Sequence, residues 1–438
     1  MARNYDKKIT MNDVNPKAKR YVDDGAAGVQ NILILINSSW GEIDWILPVC
    51  HYIKKNYPKI TLSVLFNHFN SEKIIKGNKF LRDLLFESVH NWYETKDFLP
   101  PLQRRFFEMV MWVYRKCHFE SKPYIERRFF NLLFKILSVD QRMMDAIDPD
   151  VLLKDATAFD AGFRKKIISS SRRRGCREVM FPHASALYNF PDRTTPSRGF
   201  LADDILCNTK WMKETFSDGN KFYKNKTHVI GVPRYDDWWI QYLQDYWEKG
   251  DLIKKLVNSK STIFLFYTEG EISSPDGGSE KLAEKVLHEV IETVLSFHDS
   301  FLIIKPHPRQ NLGNLNRNLE KYDKNRWVID QSQAMCLSSI ADVIICMDKD
   351  SVILDSLAVG KPTIEYVINT NILHITEYRE LGLVAPANNI DELKDWIKRM
   401  KSNPEKERIL FIENFNKIYP KTKDEVTKKA VNVVLGSE

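Results

Sequence analysis

At 438 residues, of which 43% are hydrophobic and 28% charged, the chain has the composition of a globular protein and is too long for one ordinary core. We therefore expect two or three domains. A net charge of +7 is mildly basic, which suits anionic ligands or an anionic membrane surface without requiring either.

The cysteines and the N-terminus indicate the compartment. The six cysteines are scattered and form no Cys-x-x-Cys pair, which argues against a zinc site or a disulfide framework and favours a reducing environment. Residues 1–25 have no apolar core segment and do not resemble a signal peptide. No run reaches the roughly 20 apolar residues of a spanning helix. We predict a cytoplasmic protein. Peripheral contact with the inner face of the cell membrane is compatible with that location.

Short apolar runs alternate with helical patterns along the first half of the chain. Runs that are apolar on both faces and separated by helices predict a parallel, doubly wound α/β sheet. The runs are NILILIN (31–37), TLSVLFN (61–67), DVLLKD (150–155), EVMFPHA (178–184), DILCNT (204–209) and THVIGVP (227–233).

A second set of strand-like runs follows a polar, aromatic helix. Its runs are STIFLFYTE (261–269), FLIIKPHP (301–308), RWVIDQ (326–331), ADVIICM (341–347) and PTIEYV (362–367). The predicted fold class is therefore α/β: two Rossmann-like, doubly wound parallel-sheet domains facing a cleft, with C-terminal helices. The predicted domains are residues 1–235 on the acceptor side, a linker helix over 236–258, and a nucleotide-donor-binding domain over 259–410. A C-terminal helix within 411–438 is predicted to pack back on the first domain.

Two strand ends of the second domain carry polar groups suited to a phosphate. In FLIIKPHPRQ, Pro306 cannot donate a ladder hydrogen bond, so the strand must end near Lys305. Lys305 and His307 then lie at a sheet edge, where they can stabilise a phosphate leaving group; a histidine bonded only to a backbone carbonyl is the alternative for His307. Arg309 is predicted to be a solvated loop residue.

Ser351 and Asp355 follow the strand ADVIICM. Ser351 stands where a helix begins, and free N–H groups there can bind phosphate. Asp355 lies one turn later and can accept hydrogen bonds from ribose hydroxyls. The alternatives are that Ser351 only caps the helix and that Asp355 only interacts with its dipole. There is no Gly-x-Gly-x-x-Gly after the first strand and no Walker A sequence.

Three segments together resemble a known family. The segment SSIADVIICMDKDSVILDSLAVGKPTIEY is similar to the donor-binding signature of two-domain bacterial transferases with the GT-B fold, and most of all to CDP-glycerol glycerophosphotransferases. VIGVPRYDDWW resembles their Gly-x-Pro-Arg-x-Asp motif, and IIKPHPR resembles a His-Pro motif that also occurs in capsule Kdo transferases. The matching residues are Asp348, Ser351, Asp355, Lys361, Pro362 and Tyr366, then Gly231, Pro233, Arg234 and Asp236.

The sequence also departs from that family. Asp350-Ser351 replaces paired serines, and Ala184 replaces the glycine of a His-Gly motif. Thr268 is the counterpart of the family's threonine after the strand that opens the donor domain, although its neighbours differ. Because an acid at 350 would repel a diphosphate, a CMP-activated sugar such as Kdo fits at least as well as CDP-glycerol.

The resemblance implies a metal-independent, cofactor-free glycosyltransferase. It would move a sugar from a CMP- or CDP-type donor to a cell-surface polysaccharide or a lipid-linked acceptor, such as a capsule or lipopolysaccharide precursor. It assigns His307 to the donor phosphate. Arg234 is a candidate phosphate clamp, and an ion pair with Asp236 or Asp237 is its alternative role.

The base that activates the acceptor has two candidates. His183 ends a first-domain strand in FPHAS, and a histidine suits general base catalysis. Glu42, in SSWGEIDW after the first strand, is the rival candidate. The alternative is that Glu42 is an ordinary acid at a helix start, favoured by the helix dipole. For Asp44 that structural role is the preferred interpretation. We rank His183 above Glu42, and we expect His183 and His307 to point into one cleft.

Residues 104–138 mix basic pairs with aromatic residues at helical spacing. This pattern could contact an anionic membrane, but two helices packing their aromatics into the first domain are the preferred interpretation. Nucleic-acid binding is not predicted, since no recognisable module accompanies the pattern.

Three alternatives to the glycosyltransferase prediction remain open. The first is a CDP-glycerol-type glycerophosphotransferase. The second is a UDP-sugar 2-epimerase-like enzyme, which has a similar two-domain fold but would need a Ser-Gly-Gly turn and a glutamate pair that DSVILDS lacks. The third is a non-catalytic nucleotide-sugar-binding protein, against which Lys305, His307, Ser351 and Asp355 argue.

Overall fold

The chain divides into two compact units. The first contains the residues up to Arg234 and the C-terminal residues from Asp424, and the second runs from Tyr235 to Lys423. The structure is a computed structural model. It describes residues 28–36, 40–66, 78–116, 133, 136–155, 163–183, 202–217, 225–247, 256, 261–268, 278–307, 310, 312–347, 351–367 and 376–437.

The first unit is built on a seven-stranded sheet in the order β3-β2-β1-β4-β5-β6-β7, with every described pairing parallel. Its inner strands are buried along nearly their whole length, because helices cover both faces of a parallel sheet. The strands are β1 (Asn31–Ile36), β2 (Thr61–Phe66), β3 (Asn91–Glu94), β4 (Val151–Asp155), β5 (Arg177–Phe181), β6 (Asp204–Cys207) and β7 (Thr227–Val229).

Helices connect these strands and supply the rest of the core. Leu33 and Leu152 of the sheet pack in one cluster with Phe107, Met111 and Met143 from the helices. The helices are α1 (Trp40–Asn56), α2 (Lys79–Ser88), α3 (Pro101–Lys116), α4 (Val139–Ile147), α5 (Phe163–Arg173) and α6 (Lys210–Ser217).

The second unit has a six-stranded sheet in the order β10-β9-β8-β11-β12-β13, again with every described pairing parallel. The strands are β8 (Thr262–Tyr267), β9 (Ser300–Lys305), β10 (Trp327–Ile329), β11 (Val343–Met347), β12 (Thr363–Tyr366) and β13 (Ala385–Ala387). The helices are α7 (Asp237–Tyr246), α8 (Gly278–Leu295), α9 (Leu312–Leu319), α10 (Ala334–Ile340), α11 (Val352–Ala358), α12 (Glu377–Glu380), α13 (Ile390–Ser402) and α14 (Pro404–Ile418).

The unit boundaries differ from those expected from the sequence. Helix α7, predicted as a linker, packs on α10 of the second unit. Helix α14 also stays in the second unit, where Tyr235 packs edge-on against Phe415 and Tyr419 at ring-centroid distances of 5.7 and 5.6 Å. Only the last helix, α15 (Glu425–Leu435), returns to the first unit.

Arg177 fixes the end of the returning helix. Its guanidinium donates hydrogen bonds to the carbonyls of Val433 and Val434, at 2.6 and 3.1 Å. These carbonyls belong to the last turn of α15, where helical partners run out; that of Val433 also accepts from the backbone N–H of the C-cap residue Gly436. The Arg177 side chain also pairs with Asp204 at 2.6 Å, so strand β5, strand β6 and the C-terminal helix are held together at one point.

The strand orders define where ligands bind in such sheets. In each unit the order reverses direction once, between β1 and β4 in the first unit and between β8 and β11 in the second. Open α/β sheets bind ligands beyond the carboxyl ends of the strands at this switch point. The two parallel α/β sheets confirm the predicted fold class. Among the residues that the structure describes, no helix is long and apolar enough to cross a membrane.

Candidate active site

Three ionisable side chains meet at the switch point of the first unit. Glu42 lies in the first turn of α1 after β1, Asp155 ends β4, and His183 follows β5 by two residues. His183 Nδ1 is 2.9 Å from Asp155 Oδ2 and 3.9 Å from Glu42 Oε1. One ligand atom from each residue lies within 4.8 Å of the other two. The two predicted candidate bases, His183 and Glu42, are therefore neighbours.

The imidazole and the two carboxylates of the cluster differ in their exposure to solvent. The Glu42 and Asp155 side chains are fully buried, whereas the His183 side chain is 35% exposed. When Nδ1 carries the ring proton, it donates a hydrogen bond to Asp155 Oδ2 and leaves Nε2 as the basic nitrogen of the ring. The imidazole is therefore the solvent-accessible member of the cluster.

Asp155 is a site residue that the sequence reasoning did not single out. It is the last residue of the predicted strand DVLLKD, and an acid at the carboxyl end of a buried strand was the available signal. Its importance depends on β4 lying between β1 and β5, which brings it beside Glu42 and His183. That order cannot be read from the linear sequence.

Arg234 has a different partner from those expected. Its guanidinium is buried and forms an ion pair with Asp44 in α1. Asp236 accepts a hydrogen bond from the hydroxyl of Thr422. The Arg234 side chain is thus engaged inside the first unit, and Asp44 is a buried ion-pair partner and not an ordinary helix-start acid.

In the second unit, polar groups collect at the ends of neighbouring strands. The backbone N–H of His307 donates to Thr268 Oγ1 at 3.3 Å, and the backbone N–H of Thr268 donates to the Lys305 carbonyl at 3.2 Å. Lys305 Nζ lies 3.4 Å from the carbonyl oxygen of Gln331. Ser351 follows β11, the strand on the other side of β8, so it lies on the same sheet edge. The structure therefore brings Thr268, Lys305 and His307 together.

Asp355 is buried in the structure. The carboxylate is buried, and Oδ1 accepts a hydrogen bond from the Tyr235 hydroxyl at 2.9 Å. Tyr235 also packs against an aromatic ring of α14, so this contact links Asp355 to that helix. Ser351 occupies the N-cap position of α11, but its side chain makes no capping hydrogen bond.

Several residues named in the sequence analysis lie outside the described residues. These are Ala184, Arg309, Asp348 and Asp350. Two further residues of the resemblance have structural contacts: Lys361 Nζ donates to the Ala341 carbonyl at 2.7 Å, and the Tyr366 hydroxyl donates to Glu289 at 2.8 Å. Burial and the Glu289 carboxylate raise the pKa of Tyr366, so this hydroxyl stays protonated at neutral pH.

The cluster also bears on the prediction that no metal is needed. Two carboxylates and an imidazole within 4.8 Å form a donor set that suits a divalent ion. If the enzyme does need a metal, this cluster is where we expect the metal to bind. We expect catalytic activity to persist after dialysis against EDTA. The measurement is the initial rate before and after chelation, with Mg²⁺, Mn²⁺ and Zn²⁺ returned separately. A complete loss that one of these ions restores would contradict the prediction.

No protein-family model and no curated protein matches the chain. Solved structures do. UDP-GlcNAc 2-epimerase from Neisseria meningitidis, bound to UDP-GlcNAc, has a TM-score of 0.58 at 14% identity, covering 92% of this chain and 100% of that chain. The UDP-GlcNAc 2-epimerase from Methanocaldococcus jannaschii has a TM-score of 0.55 at 14% identity, covering 91% and 98%. A glycosyltransferase from Rickettsia africae has a TM-score of 0.52 at 14% identity, covering 93% and 98%.

These likenesses support the predicted GT-B fold and correct the predicted function. At such low identity each establishes the fold alone. Several more of the similar structures are UDP-GlcNAc 2-epimerases, which contradicts the main prediction of a glycosyltransferase with a CMP- or CDP-activated donor and favours the epimerase alternative. The motif resemblance misled because its matches Asp355, Lys361 and Tyr366 have structural partners within the second unit.

Proposed function

We propose that this protein is an enzyme that inverts the configuration at carbon 2 of a UDP-linked sugar. The observation that carries the proposal is the Glu42, Asp155 and His183 cluster at the switch point of the first unit. The fold likeness to UDP-GlcNAc 2-epimerases supplies the substrate class. The Ser-Gly-Gly turn and glutamate pair expected of such an epimerase are missing from DSVILDS, so the proposal does not rest on that segment.

The chemistry of C2 inversion defines what the protein must supply. The C2 hydrogen of a UDP-sugar is not next to a carbonyl, so its loss needs a second bond change. When a base takes the proton, the C2–H electron pair forms a C1–C2 double bond, and the C1–O bond breaks with its electrons going to the UDP phosphate. Returning UDP to C1 and a proton to the other face of C2 gives the epimer. The reaction needs proton-transfer groups at C2 and positive charge at the phosphate.

We assign the C2 proton transfer to His183. Its imidazole is the accessible member of the cluster, and Asp155 holds the ring through the 2.9 Å contact at Nδ1. When the ring takes a proton it becomes a cation, which the carboxylates of Asp155 and Glu42 stabilise. Asp155 is therefore a positioning residue, and Glu42 is a second carboxylate 3.9 Å from the same ring nitrogen.

We assign the departing phosphate to Lys305 and His307. Both lie at the carboxyl end of β9, and the contacts of Thr268 with both backbones fix the turn that carries them. An ammonium and an imidazole at this strand end suit the negative charge of a nucleotide phosphate. Nothing in this assignment requires a cofactor: the nucleotide sugar itself is the substrate.

The experiment is incubation of the purified full chain with UDP-GlcNAc in D₂O, followed by proton NMR. We expect loss of the C2 proton signal through exchange with solvent and the appearance of the 2-epimer. UDP-glucose is tested in parallel, because the class of sugar is part of the question. The proposal is wrong if UDP binds but neither sugar exchanges its C2 hydrogen.

A separate prediction concerns the second unit. Lys305→Met is expected to raise the dissociation constant for UDP by about 10- to 100-fold, since a charge-assisted hydrogen bond contributes about 1.5–3 kcal/mol. His307→Ala is expected to lower turnover by about a hundredfold. Lys321→Met is the matched control, because Lys321 lies in the same unit and pairs with Glu292 at the surface. Isothermal titration with UDP and initial rates distinguish the two effects, and unchanged values for both variants would remove β9 from the mechanism.

A further inference from the structure

Helix α3 of the first unit has two apolar faces, and only one of them is buried. Phe107 and Met111 pack into the core cluster that also contains Leu137 and Met143. On the other side, five large apolar side chains are 44–81% exposed. They form what we call the α3 stripe: Leu102, Phe106, Met109, Trp112 and Val113.

The spacing of the α3 stripe makes it one continuous surface. Positions 102, 106, 109 and 113 recur every three or four residues, which places them on one face of a helix. Their directions lie within about 60° of one another at 100° per residue. Soluble proteins rarely expose so many large apolar side chains side by side, and such a patch marks an interaction surface.

The charges on the same face are positive. Arg105 and Lys116 project within the arc of the stripe, at the positions expected from 3.6 residues per turn. Lys116 Nζ lies 4.5 Å from the centre of the Trp112 ring. Glu108 lies at the margin of the stripe and pairs with Arg104 at 3.3 Å.

We propose that the α3 stripe binds the surface of an anionic lipid bilayer. A flat-lying helix with apolar and aromatic side chains on one face and basic residues beside them is the arrangement that enters the interface of a membrane. Tryptophan favours the headgroup level, and long basic side chains extend to reach lipid phosphates. At 16 residues, α3 is about 24 Å long, enough to present all five apolar side chains to one surface.

A second copy of the chain fits the stripe less well than a bilayer does. A two-fold symmetric contact brings the same surface of both copies together. Arg105 and Lys116 of one copy would then face the same cations of the other, with no acid of the stripe between them. The charge pattern of the α3 stripe therefore favours an anionic bilayer over a second copy of the chain.

The test is flotation of the full-length protein with lipid vesicles. We expect the protein to float with vesicles that contain phosphatidylglycerol and to stay at the bottom with vesicles of phosphatidylcholine alone. Met109→Glu with Trp112→Glu should lower the partition coefficient by about a hundredfold or more, since burial of each such side chain is favourable by about 1.5–3 kcal/mol. Thermal unfolding of the variant should match that of the unmodified chain, because both side chains are exposed.

The matched control introduces the same two charges elsewhere. Ile409 and Leu410 of α14 are also exposed apolar residues, so Ile409→Glu with Leu410→Glu should float like the unmodified protein. Arg105→Gln with Lys116→Gln should weaken binding about thirty-fold, from about 1 kcal/mol for each basic residue near an anionic surface.

Three results would overturn the proposal. The unmodified protein could fail to float with anionic vesicles, or both glutamate pairs could weaken flotation equally. Sedimentation could also reveal a dimer that only the Met109→Glu, Trp112→Glu variant separates, which would assign the α3 stripe to a second copy of the chain.

Discussion

Replacing His183 with asparagine is expected to slow solvent exchange at C2 of the UDP-sugar by about 10²–10⁴-fold, the usual effect of losing a general base. The affinity for UDP should not change, because the assigned phosphate contacts come from β9 of the second unit. Asparagine keeps an amide that can still contact Asp155, so the fold of the cluster should survive. The measurement is the initial rate of deuterium incorporation by NMR, paired with titration of UDP.

His228 offers a matched control for that variant. It lies in the same unit and also bonds to an aspartate, with Nε2 2.7 Å from Asp204 Oδ1. His228→Asn therefore removes a comparable imidazole and carboxylate contact, made with Asp204 at the amino end of β6 and not at the carboxyl ends of the strands. Its exchange rate should stay within a few-fold of the unmodified protein. A slow His228→Asn variant would mean that loss of any such contact damages the unit.

The rival base gives the outcome that would contradict the assignment. Glu42 lies 3.9 Å from the same ring nitrogen, so Glu42→Gln is expected to slow exchange less than His183→Asn does. Suppose instead that Glu42→Gln abolishes exchange while His183→Asn remains active. The base would then belong to the first turn of α1, and His183 would be a strand-end residue that packs against two carboxylates.

The fold could be predicted because its inner strands have a sequence pattern that is easy to recognise. β1 and β8 are continuous apolar runs, and a strand buried on both faces has no need of alternation. Two edge strands were missed. β3 is half-buried throughout, and β13 has only three residues with a proline among them, so neither carries the apolar signal of an inner strand.

The candidate site could be predicted only in part, because its contacts join distant positions. Strand-end reasoning selected Glu42, His183, Lys305 and His307, which lie at the carboxyl end of a strand or in the segment that follows it. That reasoning could not identify the residues that the candidate side chains contact. Arg234 pairs with a residue 190 positions earlier in the chain, and Asp355 accepts from a tyrosine 120 positions away.

The functional prediction went wrong for a related reason. A short motif reports which residues are present, and the same residues serve equally well inside a core or at a ligand. Lys361 donates to a carbonyl, and Asp355 accepts from Tyr235, so matches that resembled a donor site stabilise the second unit. The likeness of the whole backbone to epimerases was not visible at 14% identity.

Replacing Glu178 with alanine is expected to cost about 3–5 kcal/mol of the stability of the first unit, which is a large share of the 5–15 kcal/mol typical of a folded protein. Glu178 lies in β5 and accepts from Lys154 Nζ at 2.6 Å, and these side chains are only 1% and 7% exposed. Ser171 Oγ and the Arg172 guanidinium also donate to its carboxylate, at 3.3 and 2.9 Å. Its removal leaves the Lys154 ammonium buried without this counter-charge.

The Glu178 substitution should also affect the candidate active site, because β4 and β5 carry or lead to its residues. Lys154 directly precedes Asp155 in β4, and β5 carries Glu178 and leads to His183. Destabilising this strand pair should therefore loosen the cluster as well as the unit. Hydrogen–deuterium exchange of the β4 and β5 amides is the suitable measurement, because a chain of two units need not unfold in one step.

Two further variants separate the buried charge from the lost contacts. Lys154→Met with Glu178→Leu removes both charges and should recover most of the lost stability, since a buried ion pair can be replaced by apolar side chains of similar volume at little cost. Asp145→Ala removes the acid of an exposed pair with Arg174 in the same unit and should cost no more than about 1 kcal/mol. If the double variant is as unstable as Glu178→Ala, an unpaired Lys154 is not the cause, and the carboxylate matters through Ser171 and Arg172 instead.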